Sequence, residues 1–416
     1  MQKINKRNNM KIIHTSDWHL GHTLYGYDRM LEQSDFLRQL ADIVGEEQPD
    51  ALVVSGDIYH TPTPSAATQK MYTNAMLEMH RRCPNMSIIV TAGNHDSGSR
   101  LEVNSNLWDY VGLRVIGGIE RNADNSVNLS KHIIEVKSPQ GEKKGYVIAV
   151  PHVYPQNFPR MDGNDTTPRQ RMSRFFKCLE EDVKSLNTEG LPVVLMAHLS
   201  IAGSDRTGHD TVGGIDYYPL EDFGDGYDYL ALGHIHCPQT LKGSRGKARY
   251  CGTPIPVSFD ETYPHSVSIV TLEKNHDPLI RETRIHNPLP LLTLPSQPAG
   301  FEEALEALRQ FPADKEAYIR LNVQLTGSYL PPDCIEQATS AIAGKACKFC
   351  YIKTQRSGSS NEEMTGKQLS IEEIRQKSPL DIARLYYREA TGSELEEELE
   401  CLLMDAIRKE ERAGTE

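Results

Sequence analysis

A short polar segment, Gly93-Asn94-His95-Asp96, directly follows the β-rich run Ser87–Thr91. It places an amide oxygen, an imidazole and a carboxylate at the end of one predicted strand, which is where open α/β sheets bind their ligands. Asparagine is a poor general base, so the Asn94-His95 pair favours a metal site with a proton donor beside it. The segment becomes informative because four other strand ends carry similar groups.

Polar groups of the same kind follow four further apolar runs, so five predicted strand ends carry candidate ligands. Their side chains offer oxygen and imidazole nitrogen but no thiolate, a donor set that suits Mn²⁺, Fe²⁺ or Zn²⁺ rather than a structural zinc. One ion cannot use so many ligands, whereas two ions bridged by a carboxylate at about 3.5–4 Å can, as in two-metal hydrolysis. Taken singly, each group has a plain alternative as a turn, a helix cap or a core histidine. In chain order the candidates are Asp17, His19, Asp57, His60, Asn94, His95, His198, His234 and His236.

The elements that must position these groups alternate between strands and helices. Short, near-continuous apolar runs are expected for a sheet that is buried on both faces. Residues 30–44 and 66–82 instead carry apolar side chains at helical spacing. This alternation predicts a layered α/β sandwich. The predicted strands are residues 11–14, 51–55, 87–91, 146–150, 193–197, 229–232 and 266–272.

The composition changes after residue 272, where closely spaced prolines between residues 288 and 298 indicate a linker. Two helices (301–310 and 332–342) and two strands (317–323 and 347–354) are predicted to follow as a small α+β module. This module contains no cluster of ligands, which favours a cap that faces substrate or a partner. The expected divisions are a first domain (10–272), an α+β capping domain (285–355), a flexible linker (356–369) and a C-terminal helical segment (370–416).

The C-terminal helical segment carries an apolar stripe. Ser393 and Glu396 form a capping box, which predicts the start of the last helix. The stripe either folds back on the protein's own domain or docks another protein, and the length of the preceding linker favours a partner. The candidate partner-binding residues are Leu395, Leu399, Leu402, Leu403 and Ile407.

Length and composition describe an ordinary globular protein of two or three domains, with 416 residues, 38% hydrophobic and 25% charged. No apolar run is long enough for a membrane span, and no secretory signal is expected at the N-terminus, where either Met1 or Met10 could be the initiator. Of the eight cysteines only Cys347 and Cys350 form a CxxC pair, and this pair has no second pair to complete a metal site. We therefore expect reduced thiols and a cytoplasmic location.

The net charge of −12 argues against a protein that holds nucleic acid by a general basic surface. If DNA is the substrate, bound cations, local basic loops or a partner subunit must attract it. Residues 156–177 are the best local candidate because they are rich in arginine and poor in acids. The alternative is an ordinary solvated helix face. The candidate phosphate contacts, which would position DNA without reading its sequence, are Arg160, Arg169, Arg171 and Arg174.

Residues 10–272 resemble the calcineurin-type metallophosphoesterase superfamily, whose motifs D-x-H, G-D, G-N-H-[DE], H and G-H-x-H all occur here in order. The segments 14–21, 92–97 and 233–236 resemble more narrowly the SbcD family of nuclease subunits. The stretch 250–261, which we expect to do no metal chemistry itself, resembles that family too. The resemblance implies an αββα sandwich with a cap domain and a helical tail.

The resemblance also implies a role for each candidate ligand. Asp17, His19 and His236 would hold one divalent ion, Asn94, His198 and His234 the other, and Asp57 would bridge both. Mn²⁺ is the ion that we expect. His95 would contact the scissile phosphate and protonate the leaving oxygen, and His60 would help to position the substrate.

The family further implies a nuclease subunit that acts in DNA repair and recombination, with exonuclease action on duplex ends and endonuclease action on single strands and hairpins. Its partner would be an SbcC-type SMC ATPase, in an assembly with two copies of each subunit. This chain has no GxxxxGK[ST] loop, so any ATP dependence must come from that partner. Two alternatives remain open: a phosphatase or cyclic-nucleotide phosphodiesterase on the same scaffold, and an inert subunit that scaffolds an ATPase.

Overall fold

The computed structural model describes residues 9–161, 165–208, 217–325 and 330–356, together with Leu380, Leu399 and Glu400. It divides into two units, Met1–Gln355 and Arg356–Glu416, and the architecture below is that of the first. The predicted linker and helical segment lie outside the described residues, except for Arg356 and the three isolated residues, whose backbone is helical. Of the predicted partner-binding leucines only Leu399 is described, with 43% of its surface exposed.

Seven helices and seventeen strands are described. The helices are α1 (Met30–Glu47), α2 (Ala66–Arg82), α3 (Gly98–Leu101), α4 (Ser105–Trp108), α5 (Pro168–Leu186), α6 (Phe301–Arg309) and α7 (Cys334–Ala341). The strands are β1 (Met10–Thr15), β2 (Thr23–Leu24), β3 (Tyr27–Asp28), β4 (Ala51–Ser55), β5 (Ser87–Thr91), β6 (Leu113–Ile116), β7 (Ile133–Lys137), β8 (Lys143–Ala149), β9 (Val193–His198), β10 (Tyr229–Gly233), β11 (Gln239–Thr240), β12 (Ala248–Tyr250), β13 (Ser266–Leu272), β14 (Leu279–Arg284), β15 (Leu291–Ala299), β16 (Tyr318–Leu325) and β17 (Lys348–Arg356).

Two six-stranded sheets form the centre of the molecule, in the orders β14-β13-β1-β4-β5-β6 and β11-β12-β10-β9-β8-β7. Their facing sides share one apolar core, to which Ile12 and Val53 contribute from the first sheet and Val194 and Met196 from the second. Helices α1 and α2 pack on the outer face of the first sheet, and α5 packs on that of the second. The predicted layered α/β sandwich is therefore confirmed.

Alternation along β1 shows why one strand can serve two cores. Ile12 faces the second sheet, and Ile13 faces α1 and α2, as the two-residue period of a strand requires. Both side chains are fully buried. A sheet covered on both faces needs apolar residues at nearly every position, which explains the continuous apolar runs of the sequence.

The strand directions bring the candidate ligands to one edge. β1, β4, β5 and β6 are parallel in the first sheet, and β8, β9 and β10 are parallel in the second. The carboxyl ends of parallel strands share one edge, and ligand sites form there. The two sheets meet at this edge, where the Ser55 hydroxyl donates to the Ala231 carbonyl oxygen at 3.0 Å.

A smaller α+β layer follows the sandwich. β15, β16 and β17 form a three-stranded sheet, and α6 and α7 cover it with an apolar core that includes Leu305, Leu308 and Ala338. The prediction of a linker in the proline-rich stretch is wrong in part, because residues 291–299 form β15. β15 lies at the edge of its sheet, where a residue without an N–H is tolerated.

The first sheet also extends beyond residue 272, since β14 pairs with β13 in antiparallel register. Within the described ranges, no helix is long and apolar enough to span a bilayer.

Candidate metal centre

The loops after β1 and β4 hold their carboxylates with unusual backbone geometry. Asp17, His19, Asp57 and His234 all have positive φ, between 45° and 96°, a conformation that costs free energy for residues other than glycine and is common at functional sites. The Asp17 amide donates to the Gly56 carbonyl oxygen at 3.0 Å, and the His19 amide donates to the Asp57 carbonyl oxygen at 3.0 Å. The two loops therefore fix each other.

Two glycines allow these loops to come so close. A Cβ at Gly56 would lie 2.3 Å from His198 Nδ1, and a Cβ at Gly93 would lie 2.1 Å from Asp57 Oδ1. Gly56 also has φ of +85°, where a side chain is strained. Glycine is needed at Gly56 so that the ends of β4 and β9 can meet across the two sheets, and at Gly93 so that the loops after β4 and β5 can meet within the first sheet.

The first group of donors converges around His19. Its Nε2 lies 3.2 Å from Nε2 of His236 and 3.7 Å from Asp57 Oδ2. One donor atom of each of Asp17, His19 and His236 lies within 4.8 Å of the others, and all three residues are buried. His236 Nδ1 donates to the Glu261 carboxylate at 2.9 Å, which leaves the lone pair of the neutral ring on Nε2.

The second group of donors converges on the amide oxygen of Asn94. His198 Nε2 lies 2.9 Å from Asn94 Oδ1, and His234 Nδ1 lies 3.0 Å from it. His198 Nδ1 donates to the Ser55 carbonyl oxygen at 2.8 Å, which again points the free nitrogen of the neutral ring at the cluster. The strand ends therefore bring all the predicted ligands together.

Asp57 lies between the two groups. Its Oδ2 is 3.4 Å from His198 Nε2 and 3.7 Å from His19 Nε2, and its Oδ1 accepts from the His95 amide at 2.9 Å. Burial alone would raise its pKa, but the His198 imidazolium beside it holds the pKa of Asp57 well below its usual value. Asp57 is thus an anion in the interior, between a histidine of the first group and a histidine of the second.

The imidazoles differ in how easily they lose a proton. Burial alone would lower the pKa of His198, but the Asp57 carboxylate beside it outweighs burial, so that the pKa is raised to about 9. The pKa of His236 is also raised, because Glu261 outweighs the effect of burial. Burial lowers the pKa of His19 well below its usual value. A cation that enters the cluster at neutral pH must therefore displace a proton from His198.

His60 and His95 lie beside His19, and one nitrogen of each of the three rings lies within 4.8 Å of the others. The rings of His60 and His95 are nearly parallel with centroids 5.5 Å apart, and His95 Nδ1 donates to the His60 carbonyl oxygen at 2.9 Å. Burial and the neighbouring His95 lower the pKa of His60. Both side chains line a cavity of about 180 Å³ together with the ligand cluster.

The residues present fit divalent cations. His19 and His236 turn nitrogens toward each other at 3.2 Å, and two neutral imidazole nitrogens without hydrogens repel at that distance unless a cation or a proton lies between them. Carboxylate, amide and imidazole donors without thiolate suit Mn²⁺, Fe²⁺ or Zn²⁺. The donor set is therefore that of a divalent-metal centre.

Sequence reasoning missed His22, His152 and Glu261 around this centre and gave Asp96 no role of its own. His152 follows β8 as the predicted ligands follow their strands, and its Nδ1 donates to the His198 carbonyl oxygen at 3.0 Å. The same strand-end rule, applied to the run 146–150, would have found it. The centroid of the His22 ring lies 4.6 Å from that of His60. The only sequence signal for His22 is its position two residues after Leu20, next to the first predicted ligand segment.

Asp96 and Glu261 support the site from outside the ligand set. The Asp96 carboxylate accepts from the amides of Ile58, Tyr59 and Gly93 at 2.8–3.0 Å, so it ties the loops together. Glu261 belongs to the stretch that we expected to do no metal chemistry, yet it contacts a predicted ligand. Its position, 25 residues after His236, gives no local signal.

The arginines predicted to contact DNA lie on and before α5, away from the ligand cluster. Arg169 makes a bidentate contact with Asp222 at 2.6 and 3.0 Å. Arg171 donates to the Gln156 carbonyl oxygen at 3.1 Å, and Arg174 lies 3.8 Å from Glu181. Arg160 is exposed. The segment is helical from Pro168, as its alternative interpretation as a helix face requires.

Comparison with known proteins gives two family matches. Residues 10–238 match the calcineurin-like phosphoesterase family, and residues 287–391 match the type 5 capsule protein repressor C-terminal domain. The chain is 34% identical to the SbcD component of the nuclease SbcCD from Rhodobacter capsulatus, over 72% of this chain and 75% of that protein. It is 28% identical to the SbcD component of Bacillus subtilis over 94% and 95% of the two chains, and 25% identical to that of Escherichia coli K12 over 88% and 91%.

Proposed function

The chain belongs to the calcineurin-like phosphoesterases and, within them, to the SbcD family of nuclease subunits, and on that premise we propose that it cleaves DNA phosphodiesters by two-metal hydrolysis in the cluster around Asp57. The observation that carries the proposal is the convergence of oxygen and nitrogen donors from five strand ends on one cluster. Within it Asp57 Oδ2 lies 3.4 Å from His198 Nε2 and 3.7 Å from His19 Nε2. Such a cluster is costly to bury without cations.

The proposed ligand assignment follows the two groups of donors. Asp17, His19 and His236 would hold one divalent ion, and Asn94, His198 and His234 would hold the other. Asp57, whose Oδ2 lies 3.7 Å from His19 Nε2 and 3.4 Å from His198 Nε2, would be the ligand shared by both. Within this donor set we propose Mn²⁺, because hard oxygen ligands share the site with imidazoles and none of the proposed ligands is a thiolate.

The bound ions supply Lewis acidity, which neutralises the non-bridging phosphate oxygens and lowers the pKa of the attacking water. The protein's own residues complete the reaction. The Nδ1–H of His95 is engaged by the His60 carbonyl oxygen, which leaves Nε2 as the nitrogen available to substrate. In the imidazolium form Nε2 carries the proton that His95 gives to the leaving sugar oxygen. His60, stacked on His95, positions the phosphate.

The grip on DNA is proposed to come mainly from Arg160 among the candidate arginines. Arg160 is exposed, whereas Arg169, Arg171 and Arg174 already contact Asp222, a backbone carbonyl and Glu181. Contacts of this kind position the backbone of DNA and carry no sequence information. The engaged arginines can contribute only if DNA displaces their partners.

The partner is proposed to be an SbcC-type ATPase, because the relatives at 25–34% identity are named as components of SbcCD. The chain contains no GxxxxGK[ST] loop, so ATP dependence would reside in that partner. We propose that the helical segment at residues 370–416 binds it through the leucine stripe, in an assembly with two copies of each subunit.

Digestion of an end-labelled linear duplex tests this function. The wild-type chain is assayed with Mn²⁺, with and without an SbcC-like partner and ATP. Strong degradation only in the presence of partner and ATP is the expected result. If no condition cleaves DNA while small phosphoesters are hydrolysed rapidly, the chain acts instead as a phosphatase or small phosphodiesterase.

A further inference from the structure

Residues 252–261, here called the strap, contact the proposed ligand His236 at one end and the α+β layer at the other. At the strap's first end the Thr253 amide donates to the His236 carbonyl oxygen at 3.1 Å. At its far end Phe259 joins an apolar cluster with Leu289 and Tyr318 of the layer. One short segment therefore touches both the predicted metal centre and the module of β15–β17.

The last residue of the strap returns to the metal centre. Glu261 is buried, and its Oε1 accepts from His236 Nδ1 at 2.9 Å. Its other oxygen, Oε2, accepts from the Thr253 hydroxyl at 2.8 Å and from the Val257 amide at 3.3 Å. The carboxylate thus fixes the ring orientation of His236 and is itself fixed by the strap.

The residue before Glu261 is held by the α+β layer. Arg320 Nη1 lies 2.7 Å from Asp260 Oδ1, and Lys353 Nζ lies 3.1 Å from the same oxygen. Arg320 is 5% exposed, and its guanidinium also lies over the ring of Phe259 with 5.2 Å to the centroid. The Asp260 side chain is 48% exposed, so the ion pair is partly buried, on the Arg320 side.

Arg320 is itself held by its own layer. Its Nε donates to the Thr293 hydroxyl of β15 at 3.0 Å, and its Nη1 donates to the Tyr351 hydroxyl of β17 at 3.0 Å. The three-stranded sheet therefore fixes the position of the Arg320 guanidinium, and the guanidinium in turn holds the Asp260 carboxylate. Consecutive Cα atoms lie only about 3.8 Å apart, so a displacement of Asp260 is passed directly to Glu261.

We propose that Glu261 is a positioning residue for the metal ion held by His236, and that the α+β layer sets the affinity of that ion through Arg320, Asp260 and the strap. This inference rests on the proposed function, since it takes His236 as a ligand. Carboxylates that bind the second nitrogen of a ligating histidine orient its ring and raise its basicity. The further step here is that the carboxylate's own position depends on a separate module.

A Mn²⁺ titration of the full-length chain tests the proposal, with free Mn²⁺ read by electron paramagnetic resonance so that each site's affinity is obtained without any cleavage assay. Glu261→Ala is expected to weaken one of the two sites by roughly 10- to 100-fold, the range for outer partners of metal ligands, and to leave the other within about twofold. Glu261→Gln, which keeps the volume and an acceptor oxygen, is expected to give a smaller loss at the same site.

The role of the α+β layer is tested by Arg320→Gln, which is expected to weaken that same site by roughly 2- to 30-fold, the range for residues that transmit coupling. Arg320→Lys retains a cation for Asp260 and is expected to recover part of the loss. Arg309→Gln is the matched control, because Arg309 lies in the same layer and its ion pair among the described residues is with Glu306, at 3.4 Å. It should bind both ions as the wild type does.

Two results would overturn the proposal. Wild-type affinity at both sites in Glu261→Ala would remove the positioning role, and an unchanged site in Arg320→Gln would remove the link to the layer. Equal weakening of both sites would also overturn it, because a general structural defect acts on the whole cluster. Failure of the proposed function would instead appear as a wild-type chain that binds Mn²⁺ but does not cleave DNA even with an SbcC-like partner and ATP.

Discussion

The ligand cluster and helix α5 both gather charged side chains, but they differ in what neutralises the charge. In the cluster, Asp57 and its histidines are buried and face one another. On α5, Arg169 and Arg174 already face Asp222 and Glu181. Donor groups that converge from distant strands on a buried point indicate a metal site. Arginines that are only close to one another in sequence can instead be paired with carboxylates of the same protein, as Arg169 and Arg174 are.

Asp57→Asn is expected to have the largest effect on this contrast, because it removes the buried anion shared by both groups of donors. Metal affinity should fall by more than roughly 100-fold, beyond the loss expected for an outer partner of a ligand, and cleavage should fall with it. Elemental analysis after dialysis and the duplex assay measure the two losses. Asp222→Asn is the matched control, since it removes the carboxylate that pairs with Arg169 on α5. An active Asp57→Asn enzyme would contradict the bridging role.

His95→Gln separates chemistry from metal binding within the cluster. Because His95 is assigned to proton donation and not to a metal ion, the variant should keep its bound metal and lose roughly 10²- to 10⁴-fold in turnover. His276→Gln is the control, since His276 is an exposed histidine whose Nδ1 also contacts a carbonyl oxygen, that of Lys274 at 3.1 Å. Loss of metal from His95→Gln, seen by elemental analysis, would contradict the assignment.

The affinity of the buried cluster for Mn²⁺ should depend on pH, because the His198 ring carries a proton in the metal-free protein. Burial lowers the pKa of His198, but Asp57 raises it more, to about 9. Below about pH 9 the metal-free ring is therefore protonated, and the entering ion must displace that proton. Affinity should rise with pH between roughly 6.5 and 8 by about tenfold per pH unit for each proton displaced. Calorimetry in buffers of different ionisation enthalpy counts the protons, and binding that releases none would refute this expectation.

The smallest effect is expected at the arginines. Arg160→Ala should weaken duplex binding and lower the salt slope of the affinity by about 0.9, the value for one phosphate contact on B-DNA. Arg169→Ala should change the slope less, because its guanidinium is held by Asp222. Binding of a fluorescent duplex at several salt concentrations measures both. Equal slopes for Arg160→Ala and the wild type would remove Arg160 from the interface.

The sequence predicted the layered fold and the ligand cluster for one physical reason. Parallel strands buried on both faces produce apolar runs, and their carboxyl ends share one edge, so the polar residues after each run had to meet. Asn94, His198 and His234 come from three strand ends in two sheets, and both imidazoles still lie within 3.0 Å of the Asn94 amide oxygen.

Features that depend on long-range contacts could not be predicted in this way. Glu261 reaches His236 through a loop, and nothing in its local sequence marks it. The prolines of residues 288–298 indicated a linker because proline normally interrupts sheets, but β15 lies at a sheet edge where missing N–H groups are tolerated. The partner of Arg169 likewise became visible only when the fold placed Asp222 beside it.

The two-metal centre around Asp57 can be tested by an anomalous difference map from crystals grown with Mn²⁺, with data recorded near the manganese absorption edge. The account predicts two peaks about 3.5–4 Å apart on either side of the Asp57 carboxylate, one near His19 and His236 and the other near Asn94 and His198. A map with no peak in the cluster, or with a single peak that Asp57 does not touch, would contradict the two-metal centre.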